Sequence, residues 1–319
     1  MKKYCFGIDI GGTTVKCGLF ETDGTLLEKW EIRTHSEDNG SRILPDVGET
    51  ILAKMAEKNI DKSEVAGAGV GVPGPVHDNK VPYAVNLHWG PTDIAGELGE
   101  ITGIPIKAGN DANVAALGEM WKGGAEGRKN VIVVTLGTGV GGGIIINGHV
   151  IEGAHGAGGE IGHAHVEDSI REVCGCGNSG CLEQVASATG IARLAREELA
   201  AKDPSEASVL DNEKDLDARA VFNAYKEGDA VADRIVNKFA KYLGTTLSVF
   251  ATVADPEVIV IGGGVSKAGE ALTEIVGKYY RAAAFPACAA TPIVLAPSFL
   301  PSAISTKTAR MIPLRSTPL

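Results

Sequence analysis

Between Glu160 and Glu183 the chain places a histidine, three cysteines and two carboxylates: Glu160-Ile161-Gly162-His163, then Cys174-Gly175-Cys176 and Cys181-Leu182-Glu183. His163, Cys174, Cys176 and Cys181 could close a tetrahedral site of three sulfurs and one nitrogen, the composition of structural zinc. Imidazole binds metal in its neutral form. One ring nitrogen on the metal therefore leaves the other carrying a proton, a donor set beside Glu160. A reactive thiol cluster, a disulfide and space-filling cysteines are the alternatives. A glycine-rich loop suits the last poorly, and a Cys-x-Cys disulfide is strained.

A second reactive group is Asp111, in Asn110-Asp111-Ala112-Asn113. Asn110 or Asp111 can serve as the N-cap of the helix that follows. A carboxylate at a strand-to-helix junction also sits where open α/β sheets present ligands, and there it could accept a proton from a hydroxyl.

Two glycine turns look made for phosphate. Tyr4 to Ile10 reads as a strand, Gly11-Gly12-Thr13-Thr14 as a tight turn and Val15 to Phe20 as the returning strand. Glycines supply positive φ and outward N–H groups, with hydroxyls and Lys16 close behind. Asp9 could hold Mg²⁺ through water, or be the buried aspartate of an ordinary hairpin. The pattern returns with a strand over Asn130 to Leu136, a turn over Gly137-Thr138-Gly139-Val140-Gly141-Gly142-Gly143, and a strand over Ile144 to Asn147. No helix follows either turn, which excludes a Walker A loop and a dinucleotide fingerprint. One fold used twice is the economical reading. Gly262-Gly263-Gly264 forms a third glycine run, either a surface for a planar ligand or a packing turn. The loop Val85-Asn86-Leu87-His88-Trp89-Gly90 gathers groups that bind sugars or pack domains.

These residues need elements to hold them. Val47, Ile51 and Met55 predict a helix over Asp46 to Asn59, and small residues a close-packed strand over Val65 to Val72. Pro105 to Ala108 reads as a short strand before a helix reaching about Trp121. Further helices are expected over Ala188 to Ala200, Asp217 to Tyr225 and Ala230 to Val253; the last carries Ile235, Phe239, Leu243 and Leu247 on one stripe. A buried strand over Glu257 to Ile261 leads through the third glycine run to a helix with Ser266 as N-cap. From Ala296, scattered prolines without periodicity predict irregular order.

A chain of 319 residues exceeds the usual single core, and 44% hydrophobic content with 42 glycines suits α/β architecture. The formal charge of −10, without a basic run, argues against nucleic acid as a partner. No apolar stretch of membrane-spanning length and no signal-peptide pattern occurs, so no membrane partner and a cytoplasmic location are expected, with Cys5, Cys17 and Cys288 reduced and buried.

Asp9-Ile-Gly-Gly-Thr-Thr, Asn110-Asp-Ala-Asn, Leu136-Gly-Thr-Gly-Val-Gly-Gly-Gly, Glu160-Ile-Gly-His, Cys174-Gly-Cys-Gly-Asn-Ser-Gly-Cys-Leu-Glu and Ile261-Gly-Gly-Gly occur in order. Together they resemble the ROK family of sugar kinases and repressors, over about residues 3 to 295, and within it the bacterial ATP-dependent glucokinases. The resemblance implies a two-domain actin/hexokinase-like (ribonuclease H-like) α/β fold with a duplicated β-hairpin-led core and an interdomain cleft. It implies an N-terminal domain over 1–118, a larger domain over 119–295 and an atypical tail over 296–319, where the family has a terminal helix. It implies transfer of the γ-phosphoryl group of ATP to glucose; fructose, mannose, allose and N-acetylmannosamine are alternative sugars, and a non-catalytic sugar-binding protein an alternative class. A repressor would carry a DNA-binding domain ahead of the first strand, and only three residues precede Tyr4.

Carried over by position, Asp111 is the general base, and Asn86, Asn110, Asp111, Glu160, His163 and Glu183 bind sugar. His163, Cys174, Cys176 and Cys181 hold structural Zn²⁺. Asp9, Gly11, Gly12, Thr13, Thr14, Lys16, Gly137, Thr138 and Gly139 handle Mg²⁺ and phosphates, and Gly262, Gly263 and Gly264 the adenosine side. Homodimers are common in the family.

Overall fold

The apolar alternation after Lys3 does fold back on itself. β1 (Tyr4–Ile10) and β2 (Thr14–Glu21) pair antiparallel, from Tyr4 opposite Glu21 to Ile10 opposite Val15. Phe6, Ile8, Ile10, Val15, Cys17 and Leu19 enter one core almost fully buried. β3 (Leu26–Arg33), which the sequence reading passed over, extends the hairpin; its exposure alternates because an edge strand covers the core with one face only. A distorted turn, α1 (Glu37–Gly40), precedes α2 (Ile43–Glu57), which buries Val47, Ile51 and Met55 as the four-residue spacing predicts. β4 (Val65–Val72) runs parallel to β1 with every residue buried. The small ribbon β5 (Lys80–Val81) and β6 (Thr92–Asp93) leads through α3 (Ile94–Thr102) to β7 (Ile106–Asn110), parallel to β4, and into α4 (Asp111–Lys122). The sheet order is β3–β2–β1–β4–β7.

The computed structural model describes residues 2–297. The tail expectation beyond 297 lies outside the described residues. The chain forms two compact units, one containing residues up to 127 together with 149–159, the other 128–148 together with 160–296.

In the second unit β8 (Val131–Leu136) and β9 (Val140–Ile146) repeat the opening hairpin. The chain then departs through β10 (His149–Val150) and returns at Glu160. A single turn, α5 (Glu183–Ala186), is followed by α6 (Ala188–Ala201), α7 (Ala218–Lys226), α8 (Ala230–Ala254), β11 (Val258–Gly262), α9 (Glu270–Ala283) and β12 (Ile293–Leu295). The order β9–β8–β11–β12, with β8, β11 and β12 parallel, matches β2–β1–β4–β7 strand for strand. This is the duplicated, hairpin-led α/β core of the actin/hexokinase-like fold. The stripe Ile235, Phe239, Leu243 and Leu247 on α8 is 0–1% exposed and fills the core beside it.

Three local expectations give way. The turn between β8 and β9 is only Gly137 to Gly139; Gly141, Gly142 and Gly143 lie in β9 opposite Thr135, Val134 and Val133, where ladder hydrogen bonds outweigh the glycines' preference for turns. Ser266 is not an N-cap. It lies in a 3₁₀ turn, Gly264–Ala268, its hydroxyl donating to Gly263 O, and α9 starts after Gly269 without a side-chain cap. Trp89 is 7% exposed and donates its indole N–H to Gly40 O, so it packs its own unit instead of offering a ring to a sugar.

Candidate functional site

The parallel strands of the first unit end at one edge, and the expected residues of that half collect there. Asp9 on β1 stands in register with Gly71 on β4, and Val72 with Asn110 on β7. The turn after Ile10 is closed by Gly11 N–H donating to Thr14 O at 3.1 Å, and Thr34 clasps it, its hydroxyl donating to Gly11 O at 2.6 Å and its N–H to Thr13 O. Gly12 and Thr13 stay exposed, with the Asn86 carbonyl beside Gly12. Lys16 lies opposite Asp9 on one side and Glu31 on the other, in a row of alternating charge across the three strands.

Asn110 is the N-cap of α4. Its Oδ1 accepts from Ala112 N at 2.9 Å and Asn113 N at 3.1 Å, while its Nδ2 donates to Gly74 O at 3.0 Å. That frees Asp111 from capping as the sole acceptor and leaves its side chain exposed at the strand-to-helix junction. Although solvent reaches Asp111, the protein packed around its carboxyl desolvates it and raises it above the ordinary aspartate value, against the opposing pull of the Ala112 N–H. A raised carboxyl is a stronger base, which suits proton abstraction.

In the second unit the turn Gly137–Gly139 draws on residues far along the chain. Ala188 N–H donates to Gly137 O at 2.8 Å, Thr189 Oγ1 to Thr138 O at 2.8 Å, and Val140 N–H to Glu183 Oε2 at 3.3 Å. The turn Ile161–His163 packs so tightly on Val140 that a Cβ at Gly162 would collide with the Val140 carbonyl oxygen. Of the third glycine run, Gly262 ends β11 opposite Thr135, and Gly263, at φ +85°, presses on the Leu136 backbone. Gly264 alone borders a cavity of about 430 Å³, which Ala188, Asp217, Phe222, Asn223 and Lys267 also line. Of this lining no motif marks Asn223 and Lys267, and Asp217 shows in the sequence only as a helix start.

His163, Cys174, Cys176 and Cys181 converge, their ligand atoms all within 4.8 Å of one another. Cys174 Sγ lies 3.6 Å from His163 Nδ1 and Cys176 Sγ 3.6 Å from Cys181 Sγ. Ligands around one tetrahedral zinc stand about 3.5–3.8 Å apart, whereas a disulfide needs about 2.0 Å, so the donor set fits the ion and these thiols are unlinked. Nδ1 faces the sulfurs, which turns Nε2 outward toward Glu160 Oε2 at 3.9 Å. Glu183 Oε1 lies 3.9 Å from Nδ1 and accepts from the Cys174 thiol at 3.1 Å. The segment is tied down at several points: Leu182 N–H donates to Ala164 O, Cys181 N–H to Gln184 Oε1, and Glu167 pairs with the Tyr242 hydroxyl of α8. Cys5, Cys17 and Cys288 are free and buried, and burial pushes the first two thiols up to about 12. Among the described residues no helix is long and apolar enough to cross a membrane.

A twice-used hairpin-led sheet with a glycine turn in each half, and a Cys₃His segment in one, defines an actin/hexokinase-like class of protein. The chain belongs to the ROK family, whose model matches residues 5–304. The glucokinase of Halalkalibacterium halodurans is 42% identical over 288 residues, 89% of this chain and 87% of that one. The ROK hexokinase from Thermus thermophilus superposes with a TM-score of 0.76 at 30% identity, covering 96% of this chain and 97% of that chain. A ROK family glucokinase from Streptomyces griseus, in complex with glucose and AMPPNP, gives 0.72 at 30% identity, covering 97% and 98%.

Proposed function

We propose that the protein phosphorylates glucose at its 6-hydroxyl with ATP as donor, giving glucose 6-phosphate and ADP. The observation that carries this reading is the Asp111 carboxylate, set where β7 ends and α4 begins, in the same sheet that carries the Gly11–Thr14 turn, and raised toward basicity by its surroundings. Asp111 takes the 6-hydroxyl proton as the oxygen attacks the γ-phosphorus. Phosphoryl transfer otherwise needs chiefly alignment and charge neutralisation. The N–H groups of Gly12 and Thr13 and of Thr138 and Gly139 meet phosphate oxygens, while those of Gly11 and Gly137 close the turns, and the cavity at Gly264 takes the adenosine side. Asp9 would hold Mg²⁺, which would supply neutralisation of phosphate charge.

On the sugar side Asn86, Asn110, Glu160, His163 and Glu183 pair with hydroxyls. His163, Cys174, Cys176 and Cys181 would hold structural zinc, whose contribution would be to fix the His163 ring with Nε2–H outward. A coupled assay with ATP and a panel of glucose, fructose, mannose, allose and N-acetylmannosamine tests the proposal. The expected outcome is the highest kcat/KM for glucose. Turnover of none of the five would sink the kinase reading, and preference for another sugar would move only the substrate.

A further inference from the structure

Asn113 holds the one buried side-chain atom among the described residues that has no hydrogen-bond partner, its Oδ1, in a residue 6% exposed. Native folds rarely keep such an atom without a reason. Its other amide atom supplies one: Nδ2 donates to Gly158 O at 3.2 Å. Exchanging the two atoms would set oxygen against oxygen, so Gly158 fixes the orientation of the amide. A leucine of similar shape would fill this place without burying an unpaired acceptor. What only the amide provides is the donor to Gly158.

Gly158 is the neck of the glycine-rich loop Glu152-Gly-Ala-His-Gly-Ala-Gly-Gly159. Its N–H donates to Glu152 O at 2.8 Å, and a Cβ there would strike the Ile151 carbonyl oxygen. The tip is seated as well, since Gly156, at φ +71°, lies so close that a Cβ would meet Val76 O at 2.7 Å. Residue 158 stands two positions before Glu160, and Asn113 two positions after Asp111 on α4.

We infer that Asn113 is a positioning residue for Glu160: by pinning the loop neck to the helix that begins with Asp111, it fixes the point from which the chain enters Glu160-Ile-Gly-His163. This rests on the kinase reading, in which Glu160 pairs with a sugar hydroxyl. It implies a selective defect. Loosening the neck frees Glu160 and weakens sugar binding, while the turns that meet phosphate keep their own supports.

The test is Asn113→Asp, which keeps size and acceptor but turns an oxygen toward Gly158 O, with Gly158→Ala as an independent break of the same neck. In both, KM for glucose should rise about tenfold, the scale of one lost hydrogen bond, with KM for ATP unchanged and kcat falling much less. Hydrogen exchange on the free protein should speed up over 152–159 while the amides of α4 stay protected; Gly158→Ala, whose Cβ meets backbone, should also melt lower, and Asn113→Asp should keep its melting temperature. Exchange in Asn113→Asp like that of the wild type overturns the inference. So does a loosened loop with unaltered KM for glucose, or parallel loss of both KM values and melting temperature, which marks a merely structural role. The exchange arm does not depend on turnover, so wild-type protein that phosphorylates no hexose would sink the kinase reading and still leave the tether tested.

Discussion

Two glycine turns that look alike in sequence are held by different means. Gly11 to Thr14 is a local device, closed by its own backbone and clasped by Thr34 from the neighbouring strand end. Gly137 to Gly139 also closes on itself, Gly137 N–H donating to Gly139 O at 3.0 Å, but it leans in addition on Ala188 and Thr189 at the start of α6 and, through Val140, on Glu183 and Gly162 of the cysteine segment. The same strand order thus supports two turns of unequal independence. Damage to the cysteine segment should reach the second turn and spare the first.

The largest way to sharpen that contrast is to strip the proposed zinc. Structural zinc carries about 10–16 kcal/mol of apparent binding energy in small zinc peptides, so a chelator should release one zinc per chain, loosen residues 160–183 and abolish glucose binding. Hydrogen exchange around Gly137 to Val140 should rise and that around Gly11 to Thr14 should not. Equal loosening of both turns would break the comparison.

Next in size, Asp111→Ala, confined to the first unit, should lower kcat by about 10²–10⁴ while calorimetry finds glucose binding largely kept. Because burial raises this carboxyl in the folded protein, the wild-type acid limb of kcat/KM should lie above the ordinary aspartate range. The sign is that activity falls as pH drops and Asp111 takes a proton. The same shift means that folding disfavours the ionised form, so this group's unfavourable contribution to stability fades as pH falls.

A smaller effect separates glycines within the second unit. Gly263, at φ +85° and ψ −176°, lies in a region reserved for glycine, and its Cβ would meet Leu136 O at 2.5 Å. Gly263→Ala should therefore cost at least about 1–3 kcal/mol in denaturant melts and raise KM for ATP. Gly137→Ala, with nothing within 4 Å of the added Cβ, should leave stability nearly unchanged.

The smallest concerns the anchor of the cysteine segment on α8. The Tyr242 hydroxyl, with Ser169, holds the Glu167 carboxyl down at about 2. A depressed carboxyl contributes stability above its unfolded value and loses it as pH falls toward the folded one. Tyr242→Phe should cost about 1 kcal/mol near neutral pH, the worth of one partly exposed hydrogen bond, and flatten the decline of melting temperature between pH 4.5 and 2.

Much of the fold was legible because its signals are local. The strand Tyr4 to Ile10, the stripe on α8 and the repeat of a hairpin near residue 130 follow from periodicity over a few turns of chain. β3 and the two-residue strands were not, since an edge strand with one exposed face and a short bridge carry little pattern. Gly141 to Gly143 misled because composition favours a turn where pairing with Val133 to Thr135 imposes a strand. The cavity residues Asn223 and Lys267 come from separate elements that only packing brings to Gly264.

The sequence alone determined which chemistry is available: a Cys₃His ligand set, a carboxylate at a strand-to-helix junction and two phosphate-like turns, all readable because residue type and short spacing suffice. Tertiary structure decided how each group is used. It turned His163 Nδ1 toward the sulfurs, used Asn110 Oδ1 to cap α4, buried Trp89 against Gly40, and joined Asn113 to Gly158 across 45 positions. Those choices depend on which distant segments meet, and no local pattern encodes the partner of a hydrogen bond that long-range packing creates.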